Sequence, residues 1–145
     1  MPSVGDRQAA QPTTALDGAL ARVGDRWSFL VVEALLEGPL RFNELLERLP
    51  GIAPNVLTQR LRTLERERVL TARPYSDRPP RMAYHLTRDG GELAGVLRLL
   101  AGWAAGDGTE ALRHLDCGSV LEARWYCPTC AGPVDETDAS NLRYA

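Results

Sequence analysis

The sequence has no long apolar run, no secretion signal and few cysteines. No apolar segment approaches the roughly 20 residues that a membrane-spanning helix needs, and Met1 to Thr14 has no apolar stretch like that of a signal peptide. The three cysteines, an odd number, all follow residue 116. This pattern excludes the disulfide framework of a small secreted protein, so we expect a cytoplasmic protein that does not enter a membrane.

Familiar catalytic patterns are also missing. The chain has no recognisable nucleophile triad, phosphate-binding loop or carboxylate pair, and we expect His85 to be a surface or packing residue. We therefore expect a protein that is not an enzyme.

Lysine is absent, so all 17 basic residues are arginine, and they are unevenly distributed. Between Arg41 and Arg81 nine arginines face five acidic residues, a net charge of +4, whereas between Asp107 and Ala145 three face seven, a net charge of -4. A central basic block is what contact with phosphate requires, although solvated helix faces have the same composition. The overall charge of -2 alone would argue against nucleic acid.

The length of 145 residues allows one main core and a small appendage. We predict a flexible arm at 1–13, a main domain at 14–106, a cysteine-containing appendage at 107–134 and a polar tail at 135–145. Apolar spacing predicts helices over Ala15 to Val23, Trp27 to Leu35, Phe42 to Leu49 and Pro54 toward Arg68, and a last helix that Thr87 caps and that ends near Gly106.

Between the last two helices the apolar period changes. Val69 to Tyr75 and Arg81 to Leu86 are short runs that suit β-strands, and the turn-forming segment 76–80 separates them. Two short helices joined by a tight turn and followed by a hairpin outline a winged helix-turn-helix. The predicted fold class is therefore α+β, mostly helical with a two-stranded β wing, plus a small zinc-ribbon-like appendage.

The helix after the turn is the candidate DNA-reading element. With Leu57, Leu61 and Leu64 turned inward, it exposes side chains suited to base edges, namely Asn55, Thr58, Gln59 and Arg62. Arginines expected at phosphates or in the minor groove are Arg41, Arg60, Arg73, Arg78 and Arg81. An ordinary amphipathic helix beside a solvated charged loop is the alternative.

The order of short motifs resembles the HxlR-type family of bacterial winged-helix regulators over roughly Leu20 to Trp103. The matching positions are Val-Gly-Asp-Arg-Trp (23–27), Gly38, Arg-Phe-Asn-Glu-Leu (41–45), Leu-Pro-Gly-Ile (49–52), Leu-Thr-Gln-Arg-Leu (57–61), Leu64, Glu65, Arg73, Pro79, Pro80, Tyr84, Leu86, Thr87, Gly90, Leu97 and Trp103.

This resemblance implies a DNA-binding transcriptional regulator that dimerises through its first and last helices and binds a pseudo-palindromic operator of double-stranded DNA. The apolar side chains expected at the dimer interface are Leu16, Leu20, Leu93, Val96, Leu97, Leu100 and Trp103. The long apolar stripe from Leu93 to Trp103 agrees with a partner helix, although packing within one chain is the alternative.

Three departures limit the resemblance. Ala53 replaces the serine that commonly caps the recognition helix, and Arg68 replaces the glycine that usually ends it. Several family members sense oxidants through a cysteine near the N-terminus, but no cysteine precedes Cys117. That switch is therefore not expected here.

The appendage carries a candidate metal site. His114 and Cys117 form one pair and Cys127 and Cys130 another, each with a two-residue gap, which approaches the spacing of a zinc ribbon. Three thiolates and one imidazole would hold a structural zinc ion. A redox switch, or simply buried or oxidised thiols, are the alternatives.

Two other functions stay open. A winged helix can serve as a protein-interaction module, which would bind DNA weakly and without sequence preference. A thiol redox protein using Cys127 and Cys130 is the second, although that chemistry favours a thiol pair at a helix N-terminus within a βαβ unit. The sequence does not identify the effector or the operator, or distinguish a repressor from an activator.

Overall fold

The structure is a computed structural model that describes residues 14–106, 112–135 and 137. The predicted arm at 1–13 lies outside these residues, as does most of the predicted tail at 135–145. The chain divides into two compact units within its last helix, between Leu97 and Arg98, whereas the sequence suggested a boundary after Gly106. Side chains after Leu97 lie outside the core, which explains why the boundary comes before Gly106.

The first unit contains the helices and strands predicted from apolar spacing. In chain order they are α1 (Ala15–Val23), α2 (Arg26–Leu35), β1 (Leu40–Arg41), α3 (Phe42–Arg48), α4 (Pro54–Arg66), β2 (Leu70–Asp77), β3 (Pro80–Leu86) and α5 (Arg88–Ala105), the last of which continues into the second unit. None of the helices in the described part of the chain is long and apolar enough to cross a membrane.

The helix ends follow from local side chains. Asp25 caps α2 by accepting from the backbone N–H groups of Trp27 and Ser28, each at 3.1 Å. Thr87 caps α5 as predicted, because its Oγ1 accepts from the N–H of Gly90 at 3.0 Å. No side chain caps α4, which begins with Ala53 as its N-cap and Pro54 in its first turn. Beyond that helix Arg68 has a left-handed φ of 60°, the conformation that normally selects glycine.

The wing belongs to a three-stranded antiparallel sheet in the order β1-β3-β2. The sequence predicted two strands and missed β1, whose Leu40 pairs with Tyr84. Strands β2 and β3 are also longer than predicted, and only Arg78 and Pro79 separate them. A register irregularity between Pro74 and Ser76 marks a bulge in β2.

The core joins α2, α3 and α4 to the start of the sheet. Leu45, Leu57 and Leu64 have no solvent exposure, and burial of each leucine contributes about 1.5–3 kcal/mol. The full cluster consists of Val23, Val31, Val32, Leu35, Leu45, Leu49, Ile52, Leu57, Leu61, Leu64, Val69, Leu70 and Leu97. This core fixes α4 and the wing in one unit.

The second unit contains a short hairpin, β4 (Trp125–Cys127) and β5 (Gly132–Val134). An isolated bridge between Arg113 and Val120 closes a preceding turn. Among the residues described from 112 to 135 none is buried. This segment therefore lacks a hydrophobic core of its own.

Candidate nucleic-acid interface

Helix α4 has one face in the core and the opposite face in solvent. Leu57, Leu61 and Leu64 form the inward stripe, while three of the predicted base-reading residues, Asn55, Gln59 and Arg62, are exposed. Thr58 is half-buried, and its Oγ1 donates to the carbonyl of Pro54 at 2.9 Å. The hydroxyl of Thr58 keeps its acceptor capacity for a base edge.

Hydrogen bonds from three sides hold α4 in place. Glu65 Oε1 accepts from the backbone N–H of Ala72 in β2 at 3.3 Å, which joins the helix to the wing. Just past the helix, Glu67 Oε2 accepts a hydrogen bond from Arg22 Nε of α1 at 3.0 Å. The third contact joins Arg60 Nη1 to Asp25 Oδ2 at 3.2 Å, so Arg60 is engaged within the protein.

The wing presents the other predicted arginines to solvent. Arg73 lies in β2, Arg81 lies in β3 and Arg78 lies in the turn between them, and all three are exposed. The side chains of these three arginines and of Arg62 form no hydrogen bond or ion pair with another described residue. Four unneutralised guanidinium groups are thus divided between the outer part of α4 and the wing.

Arg41 lies where the wing meets the helix-turn-helix. Its backbone N–H donates to Glu44 Oε2 at 2.6 Å at the start of α3. Its guanidinium carbon lies 4.2 Å from the ring centroid of Tyr75, a cation–π contact. This contact restrains the side chain but leaves its N–H groups available for phosphate.

Several structural partners were not predicted from the sequence. Asp25 and Tyr75 contact predicted arginines, Glu65 joins α4 to the wing, and Ser28 donates a hydrogen bond to Asp25. For Asp25 a local signal existed, since an aspartate before an apolar helical run is typical of an N-cap. The pairings of Asp25 with Arg60 and of Tyr75 with Arg41 join residues that are distant in sequence, and no local signal predicts them.

The residues predicted at a dimer interface are divided between core and surface. Leu16 and Leu20 on α1 and Val96, Leu100 and Trp103 on α5 are exposed, with Trp103 at 82%. Leu97, by contrast, is buried in the core of the single chain, and Leu93 packs against that core. Their helical phase turns these two leucines toward the core, where Leu97 is buried and Leu93 is half-buried.

The predicted metal ligands form two pairs, each in its own turn. His114 Nδ1 lies 3.4 Å from Cys117 Sγ, and hydrogen bonds from Ser119 and His114 lower the pKa of Cys117 to about 7. In the β4–β5 turn, hydrogen bonds from Cys130 and Thr129 lower the pKa of Cys127, and the neighbouring Cys127 raises that of Cys130. Within the described part of the chain, no group of three or more potential ligands lies close enough to hold a metal ion.

Comparison with known proteins finds helix-turn-helix transcriptional regulators. The sequence model of the HxlR-like helix-turn-helix family matches residues 22–111 of this chain. YodB of Bacillus subtilis (strain 168), an HTH-type transcriptional regulator, is 32% identical over 89 residues, which are 61% of this chain and 80% of YodB. Rv3095 of Mycobacterium tuberculosis (strain ATCC 25618 / H37Rv), an uncharacterized HTH-type transcriptional regulator, is 33% identical over 130 residues, 86% of this chain and 80% of Rv3095.

Solved structures agree with this result. The crystal structure of PA1607, a proposed transcription factor, matches with a TM-score of 0.76 at 27% identity, over 93% of this chain and 96% of PA1607. The family match spans the helix-turn-helix and the wing, whereas the likeness to PA1607 also extends over most of the second unit.

Proposed function

The chain belongs to the HxlR-like helix-turn-helix family of transcriptional regulators, and we propose that it binds a pseudo-palindromic operator as a homodimer. It acts as a regulator of this kind in the cytoplasm and not as an enzyme. Four arginines whose side chains form no ion pair with another described residue, Arg62 on α4 and Arg73, Arg78 and Arg81 on the wing, carry the proposal. Unneutralised guanidinium groups on a protein of net charge -2 suit release of counterions from DNA phosphates.

The residue roles follow from position. Asn55, Thr58, Gln59 and Arg62 read base edges in the major groove, because their types match donor and acceptor patterns there. Arg41, Arg73, Arg78 and Arg81 contact phosphates or the minor groove beside the helix. Arg60 is left out of this set because Asp25 engages its guanidinium.

Exposed apolar side chains support the homodimer. Leu16 and Leu20 on α1 and Val96, Leu100 and Trp103 on α5 would cover one another across a two-fold axis. In such a dimer the two half-sites lie about 34–36 Å apart, one turn of DNA.

Fluorescence anisotropy with the DNA upstream of the chain's own gene and with scrambled DNA, at several salt concentrations, tests the proposal. We expect roughly 1,000-fold tighter binding to the operator than to scrambled DNA. Gln59→Ala should remove most of that preference, and Arg78→Ala should weaken both complexes and reduce the salt slope by about 1 per protomer. Arg124→Ala, which removes an exposed arginine from the second unit, is the matched control. It should change neither the operator preference nor the salt slope.

Equal affinity for several candidate operators and for scrambled DNA would contradict the proposal. Weak, salt-sensitive and sequence-indifferent binding would favour a winged-helix protein-interaction module instead.

As a second candidate function, we propose that His114, Cys117, Cys127 and Cys130 hold a structural zinc ion. The thiol and imidazole donors suit zinc, and a segment without buried residues needs another source of stability. The ligands lie in two separate pairs among the described residues, so the arrangement does not fit one metal as it stands. The proposal therefore requires the pairs to come together when zinc binds.

Elemental analysis of protein purified without chelator tests this candidate. We expect about one zinc per chain, and its loss in the double variant Cys127→Ser with Cys130→Ser, whereas Ser119→Ala should retain it. Protein without zinc that titrates three free thiols would contradict the proposal. A reversible Cys127–Cys130 disulfide detected by mass would instead support the redox alternative.

A further inference from the structure

Arg60 differs from the other arginines of the DNA-binding region because its side chain is tied to α2. Its Nη1 donates to Asp25 Oδ2 at 3.2 Å, across 35 positions of sequence. Its Nε is buried without a hydrogen-bond partner among the described residues. A side chain that reached out to phosphate would keep this atom in water, so the guanidinium lies against the protein.

Helical geometry also places the Arg60 side chain against the protein. Arg60 follows Leu57 by three positions and precedes Leu64 by four, so it lies beside the buried stripe of α4. Thr58 and Arg62 are each two positions away, about 200° around the helix. Arg60 and Arg62 therefore point to nearly opposite sides of α4.

The carboxylate that receives Arg60 is itself fixed. Asp25 accepts the backbone N–H groups of Trp27 and Ser28 at the N-terminus of α2, and the hydroxyl of the fully buried Ser28 donates to its Oδ2. Burial alone would raise the pKa of Asp25, but the hydrogen bonds from Ser28, the charge of Arg60 and the N–H of Trp27 together lower the pKa below the ordinary value for an aspartate. Asp25 is thus a charged carboxylate that four hydrogen bonds orient.

We propose that Arg60 is a positioning residue, which through Asp25 fixes the rotation of α4 about its axis and so presents Gln59 and Arg62 to the bases. Arg60 does not contact DNA. This inference rests on the proposed function and adds a specificity determinant outside the DNA-contacting surface.

A phosphate contact, a positioning contact and a purely structural contact predict different measurements. Loss of a phosphate contact weakens specific and non-specific binding alike and reduces the salt slope by about 1. Loss of a positioning contact leaves non-specific binding and the salt slope unchanged, and weakens only the operator complex. Loss of a purely structural contact lowers the thermal midpoint of unfolding. It does not change the specificity ratio of the folded protein, which is the affinity for the operator divided by the affinity for scrambled DNA.

The experiment compares Arg60→Met with Arg78→Ala, on operator and scrambled DNA across a salt series, at a temperature where circular dichroism shows every variant folded. We expect Arg60→Met to reduce the specificity ratio about tenfold, the lower range for one lost base contact, with the wild-type salt slope. Arg78→Ala should reduce the slope and keep the ratio. Asp25→Asn keeps an N-cap acceptor but removes the charge, and should reproduce the effect of Arg60→Met.

The double variant of Asp25→Asn and Arg60→Met should bind the operator no worse than either single variant, because one interaction is lost in each case. Arg60→Lys, which can still reach Asp25, should recover part of the ratio. A reduced salt slope with an unchanged ratio in Arg60→Met would overturn the inference while the proposed function stands. Wild-type protein without operator preference would instead overturn the proposed function, and this inference with it.

Discussion

Gly90 is a buried residue in the first turn of α5, next to the backbone of Val69 just before β2. A Cβ atom at this position would lie 1.9 Å from the carbonyl oxygen of Val69 and 2.9 Å from its carbonyl carbon. Because both atoms belong to the backbone, Gly90→Ala must displace α5 or the segment before β2. We expect this variant to lose about 1–3 kcal/mol of unfolding free energy in urea denaturation, the cost of forced overpacking.

The neighbouring glycine supplies a matched control. A Cβ at Gly91 meets no atom within 4 Å, so Gly91→Ala should gain about 0.5–1 kcal/mol from helix propensity. Similar stability changes in the two variants would mean that α5 does not cross Val69 this closely.

Chemically similar residues separate only in the folded chain. Arg60 and Arg62 are two positions apart and were predicted together as DNA contacts, yet one is bound to Asp25 and the other is free of ion pairs within the described residues. Helical phase placed Asn55, Gln59 and Arg62 correctly on the exposed face. It did not predict Asp25 as a partner, because that contact depends on how α2 crosses α4.

At the scale of elements, α4 begins without the side-chain cap that the family resemblance would supply. Ala53 has φ -77° and ψ 143°, the extended conformation of an N-cap residue, but no oxygen to accept the free N–H groups of the first turn. Ala53→Ser should therefore raise the unfolding free energy by about 1 kcal/mol. Ala53→Val, which adds bulk without an acceptor, should give no such gain in the same denaturation experiment.

Periodicity predicted the helices well and the sheet less well. The apolar spacing of α2, α3 and α4 reflects one buried face on each, whereas α1 buries only Val23 and α5 only Gly90 and Leu97. The bounds of all five helices agree with the sequence to within one or two residues. Strand β1 has only two residues, Leu40 and Arg41, and is defined by their pairing with β3. No local sequence pattern predicts so short a strand. The wing turn was predicted too long because Asp77 and Pro80 still pair despite their turn-forming residue types.

For the whole molecule, the two units differ in what holds them together. The first has a continuous core whose apolar residues are visible in the sequence. The second exposes apolar side chains such as Leu115, Trp125 and Tyr126, and none of its described residues is buried. Apolar periodicity carries no information about such a segment, which is why only its cysteine and histidine spacing could be interpreted.

The homodimer gives a prediction for the assembled protein. Val96 is 53% exposed on α5 and lies outside the core, so Val96→Glu should keep the fold and place a charge in the proposed interface. We expect wild-type protein to sediment as a dimer and the variant as a monomer in analytical ultracentrifugation. Operator affinity should fall by about 100-fold or more, because the two half-sites no longer bind as a linked pair.

A second apolar-to-acidic variant separates this effect from added charge. Leu115→Glu changes a 98% exposed leucine outside α1 and α5, so it should remain dimeric and bind the operator as wild type does. If Val96→Glu also remains dimeric with unchanged operator affinity, Val96 does not contribute to the interface. If it becomes monomeric but binds the operator unchanged, dimerisation is not needed for DNA binding, and recognition belongs to single α4 helices.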